Sequence, residues 1–91
     1  MAIKLKEGFA LRKVGPMYMA VPFGATANQV KGMITLSETG YLLWEKIRDG
    51  ADNVPALVQV LRENYEVSEE EATQDVNAFI ESLRSQGVLE A

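Results

Sequence analysis

The densest set of chemically capable side chains in the sequence is Glu69-Glu70-Glu71 followed by Asp75. Paired carboxylates can exchange protons with a substrate or hold a hard cation, so acid-base or metal chemistry would be sought here first. The spacing argues against both. Consecutive helical residues point in different directions, and an oxygen-ligated cation loop needs alternating ligands around a glycine turn. Helix capping accounts for the run instead. Ser68 with Glu71 three residues on is a capping box, and three carboxylates at the start of a helix sit at the positive end of its dipole. The chain has no cysteine and no histidine, so the usual thiolate nucleophile, general base and metal ligand are missing. Gly24, Gly32 and Gly40 are too widely spaced to cradle one phosphate. These residue types favour binding over catalysis, with no cofactor and no metal.

The elements that must position any binding surface change period at Gly32-Met-Ile-Thr-Leu-Ser-Glu-Thr-Gly-Tyr-Leu-Leu-Trp44. Val30, Gly32, Ile34 and Leu36 fall on one face of an extended segment, with Lys31, Met33 and Thr35 on the other. Ser37 then caps a helix, Leu36 and Tyr41 are placed as a hydrophobic staple, and Gly40, Leu43, Trp44 and Ile47 recur at helical spacing. Upstream, Met1 to Glu7 reads as polar and frayed. Phe9 and Leu11 open a first strand, Val14-Gly15-Pro16-Met17 supplies a tight reversal, and a second strand from Met17 is ended or confined to an edge by Pro22. Gly24 to Gln29 is a loop that returns the chain into the third strand, Val30 to Leu36. Gly32 inside that strand marks a bulge or a close backbone approach.

Downstream, Gly50 stops the Trp44 helix and Pro55 suits the first turn of the next one. Val54, Leu57, Val58, Leu61 and Tyr65 form the apolar stripe of this second helix. The third starts at Ser68, buries Ala72, Val76, Phe79, Ile80 and Leu83, and ends in a left-handed cap at Gly87. The fold class expected is α+β: a three-stranded antiparallel meander followed by three helices, in a winged helix-turn-helix-like arrangement over one domain, 1–91, with its core at about 8–89.

The net charge of -4 is unevenly spread, with five basic side chains against one acidic in residues 1–36 and four basic against twelve acidic in residues 37–91. The sheet half is basic and the helical half acidic. A winged helix that reads DNA needs lysine or arginine on its last helix, where this chain has Glu69, Glu70, Glu71 and Asp75. Nucleic acid is not the expected partner. No apolar run approaches the roughly 20 residues that span a bilayer, and no secretory signal opens the chain, so a soluble, cytoplasmic protein without a membrane partner is expected. What remains is an interaction module. If the third strand is an edge and the third helix lies beside it, the two form a groove for an extended peptide. The competing expectation is a winged-helix-like interaction or regulatory domain that docks a partner through its acidic helical face.

The order of elements, the Gly32 to Trp44 segment, the Gly50 break and the capped acidic third helix resemble the family of the coenzyme PQQ synthesis protein D. The resemblance runs from about Gly8 to Leu89. It implies a small winged-helix-like domain that is not an enzyme, takes the leader of a ribosomally made precursor peptide as an added strand, and presents it to a modifying enzyme, often a radical S-adenosylmethionine enzyme. Carried over by position, the peptide ladder is Val30, Lys31, Gly32, Met33, Ile34, Thr35 and Leu36. The helix wall is Ala72, Asp75, Val76, Phe79 and Leu83. An exposed strand edge leaves a monomer or a weak dimer as the expected state.

Overall fold

The structure, a computed structural model, describes residues 3–30 and 32–89. Three strands, β1 (Phe9–Val14), β2 (Met17–Pro22) and β3 (Ile34–Leu36), precede three helices, α1 (Glu38–Arg48), α2 (Val54–Asn64) and α3 (Glu69–Ser85). A single 3-10 turn, Gly24–Asn28, lies between β2 and β3. The α+β order read from the sequence is the one observed.

β1 and β2 form a two-residue hairpin closed by Val14 and Met17, and Gly15 takes φ +58 at its first central position. That is where this type of hairpin turn needs glycine, because a positive φ there matches the twist of the strands. β2 then pairs with β3 through Tyr18–Leu36, Met19–Thr35 and Ala20–Ile34, all antiparallel, so the sheet order is β1-β2-β3. β3 is an edge strand.

Each helix start follows from a side-chain cap. Ser37 Oγ accepts from the Gly40 N–H at 2.9 Å, Asn53 Oδ1 from Ala56 N–H at 2.9 Å, and Ser68 Oγ from Glu71 N–H at 3.1 Å. The Glu71 carboxylate makes no return bond to Ser68, so only half of the expected capping box forms. At the far end of α3, Gly87 takes φ +75 while Val88 N–H donates to Leu83 C=O, which turns the buried Val88 back onto the core. This is the left-handed cap expected at that glycine.

The core has two parts. Leu43, Ile47, Leu57, Leu61, Val76 and Ile80 interdigitate among the helices. Ala20, Val30, Ile34, Leu36, Trp44, Leu83 and Val88 fill the space between sheet and helices. Trp44 is almost wholly buried and meets the Phe9 ring edge-on at 5.3 Å, so the single tryptophan ties α1 to the first strand. Full burial of so large a ring is worth several kcal/mol, on the order of 3–5 by the cost of truncating it.

Two expectations need correction. The third strand does not run from Val30 to Leu36; only Ile34 to Leu36 is extended and paired. Val30 N–H donates to Thr26 C=O, and Gly32 adopts φ +75, which sends the chain off the sheet before Met33. Glycine stands there for its backbone conformation, since nothing lies within 4 Å of where its Cβ would be. It is neither a strand bulge nor a close approach. The amino-terminal segment is also not frayed over its described part: Ile3 N–H donates to Asp52 C=O, Lys6 N–H donates to Val88 C=O, and Leu5 pairs with Leu89. Alternation of Ile3 and Leu5 is a short strand signal that the flanking lysines obscure.

Candidate functional site

The hairpin fixes which backbone groups of β3 face outward. Hydrogen-bonded and non-bonded pairs alternate along an antiparallel ladder, starting from the closing pair of the turn. Phe23 N–H donates to Gly8 C=O at 2.8 Å, so odd-numbered positions of β2 address β1. Tyr18 and Ala20 therefore address β3, and their partners Leu36 and Ile34 spend their amide and carbonyl groups inside the sheet. Thr35 is left with its N–H and C=O directed away from β2. Side chains follow the opposite logic: Ile34 and Leu36 are buried beneath the sheet, whereas Met33 and Thr35 are exposed.

Immediately past Leu36, the first turn of α1 and the middle of α3 enclose a cleft of about 410 Å³. Gly40, Leu43, Ala78 and Phe79 give it apolar walls; Ser37, Thr39 and Asp75 supply its polar rim. Gly40 contributes to this shape. A Cβ there would stand 3.1 Å from the Phe79 ring and 3.3 Å from Ser37 Oγ, so the ring would have to give way. Phe79 itself is half-buried and packs against both parts of the core, one edge inward and one toward the cleft.

The residues expected to form the site are therefore divided. Ile34, Thr35 and Leu36 form the strand paired with β2, and Met33 precedes it; Val30 is buried in the core from the loop before the strand, and Gly32 lies at the kink. Lys31 falls outside the described residues. On α3, Asp75 and Phe79 border the cleft. Ala72, Val76 and Leu83 are buried to within 1% of complete, so their side chains belong to the core and offer no wall to a ligand. An apolar stripe at helical spacing shows which face is buried, but not which flank of it remains open. Gly40, Leu43 and Ala78 enter the site without having been singled out for it. The available signal was a glycine in the first turn of a helix, where it marks a close neighbour rather than a break.

Among the described residues the cleft offers one carboxylate, two hydroxyls and apolar walls. No group of acidic residues among the described residues is arranged to hold a metal ion. No helix among them is long and apolar enough to cross a membrane.

Comparison with known proteins agrees with this fold. Among solved structures, the chain is similar to a lasso peptide synthetase B1 complexed with the leader peptide, with a TM-score of 0.77, 19% identity and full coverage of both chains. It is also similar to TbiB1 in complex with the TbiA(beta) leader peptide, with a TM-score of 0.75 and 15% identity over 97% of this chain and 95% of that one. At such identities the likeness speaks for the fold. No curated protein matches the sequence significantly. The family model of coenzyme PQQ synthesis protein D matches residues 26–89, from the 3-10 turn through the three helices to the end of the α3 cap. The chain belongs to the PqqD family.

Proposed function

We propose that this protein is a non-catalytic recognition element that binds the leader of a ribosomally made precursor peptide as a strand added to β3. It then presents the peptide to a modifying enzyme, of which a radical S-adenosylmethionine enzyme is the first candidate. The observation that carries this reading is the outward N–H and C=O of Thr35, on an edge strand that leads into the first turn of α1 beside an apolar cleft. An added strand gains affinity from main-chain hydrogen bonds and specificity from pockets that receive alternate side chains, and both are side by side here. Family membership supports the reading, as do the two similar folds described with leader peptides.

A fluorescently labelled leader from a short precursor encoded beside this protein's gene provides the test. Saturable anisotropy change is expected, with competition by the unlabelled leader and none by a peptide of the same composition in scrambled order. Equal binding of the scrambled peptide, lost as salt is raised, would instead point to docking on the acidic helical face.

A further inference from the structure

The cleft beside Gly40 has a composition that selects among side chains. Its walls are apolar, and Asp75 is the one charged residue on its rim among the described residues. Asp75 is exposed and its carboxylate forms no ion pair or hydrogen bond among the described residues, where Glu71, one turn earlier on α3, also has no cationic partner. At the α1 terminus that borders the cleft, the Gly40 amide is taken by Ser37 Oγ, and Glu38 adds a negative charge to the first turn. We infer that the cleft receives one lysine or arginine side chain of the bound peptide, its methylene stem lying against Ala78 and Phe79 and its cation meeting Asp75. This inference rests on strand addition at β3, which would direct alternate peptide side chains toward the helices.

The physical case is a matter of which side chain leaves nothing unpaired. A leucine or phenylalanine would fill the apolar volume but cover the Asp75 carboxylate without a partner, which costs desolvation. An acidic side chain would add like charge. A basic one lays an aliphatic stem on the apolar surface while its head reaches the rim. Because the added strand is in fixed register with β3, the basic residue would occupy one fixed position of the peptide.

The experiment is selection of a random library of 12-residue displayed peptides on the wild-type protein and on the Asp75→Asn and Asp75→Lys variants. Asp75 is exposed, so neither change threatens the fold. Wild-type selections should be enriched in lysine or arginine at one position. A synthetic winner with that residue changed to norleucine should bind about three- to tenfold more weakly, with a similar loss for the unchanged peptide on Asp75→Asn. Selections on Asp75→Lys should move toward aspartate or glutamate at that position. Winners that perturb the Met33 and Thr35 amides but carry no fixed basic residue, or bind Asp75→Asn unchanged, would overturn the inference while leaving strand addition intact. Winners that leave β3 unperturbed, or a library without winners, would overturn strand addition and this inference with it.

Discussion

Two concave regions flank α1, one at each end, and the chain treats them differently. At the carboxyl end, a cavity of about 510 Å³ lies against Trp44 and Ile47, and residues 3–9 run along it. That segment has already made its backbone bonds, to Asp52 and Val88. At the amino end, the cleft of Gly40 and Phe79 adjoins β3, whose outward amide at Thr35 has no partner strand among the described residues. An extended segment of the protein's own chain covers the first region. The second has the same ingredients, apolar surface and backbone donors, with no segment of the described chain to cover it. The contrast is the ground on which the proposed binding surface is placed at β3 and the Gly40 cleft.

The difference in edge length is equally instructive. A long, flat edge invites uncontrolled pairing between copies, and proteins shorten or twist such edges to prevent it. Here Gly32 ends the strand and leaves a three-residue ladder. So short a ladder gives few main-chain bonds, and selectivity has to come from the adjoining cleft.

The comparison can be broken from its shared support outward. Trp44→Ala should cost about 3–5 kcal/mol, because the ring is buried beside both the sheet and the cavity at the carboxyl end; denaturant unfolding would measure it. Thr35→Pro should reduce leader affinity about a hundredfold, on the order of 3 kcal/mol, by removing an outward donor and blocking approach. Its unfolding midpoint should stay close to wild type, because that amide serves no bond within the sheet. Leu5→Ala should do the reverse, lowering stability by about 1–2 kcal/mol through the half-buried amino-terminal segment while leaving leader affinity unchanged in a titration. Gly40→Ala should have the smallest effect. The better helix former offsets the displaced Phe79 ring to within about 1 kcal/mol, and leader affinity should fall a few-fold as the cleft narrows.

Much of this architecture was legible in the sequence, for reasons that differ between elements. Ser37, Ser68, Pro55 and Gly87 are local signals whose chemistry acts within one helical turn, so the helix bounds could be read directly. The hairpin was legible from Gly15 because its turn demands a positive φ at that position. β3 was overextended because Val30, Gly32, Ile34 and Leu36 alternate correctly while the backbone at Gly32 does not. Alternation reports burial, and Val30 is buried from a loop. The expected helix wall divides into buried and bordering residues for a related reason. Ala72, Val76 and Leu83 share a stripe with Phe79, but only tertiary packing decides that Phe79 lies at its margin, facing Gly40. The pairing of residues 3–6 depends on contacts across the whole chain, with Asp52 and Val88, and no local pattern announces such partners.

The most direct measurement is an amide-resolved NMR titration of the full chain with the leader of its neighbouring precursor peptide. The account predicts slowed exchange and large shifts at Met33 and Thr35, with accompanying shifts at Gly40, Asp75 and Phe79, and little change at Ile3, Leu5 and Lys6. Shifts confined to the amino-terminal segment or to the outer faces of α2 and α3, with Thr35 unmoved at saturation, would contradict it.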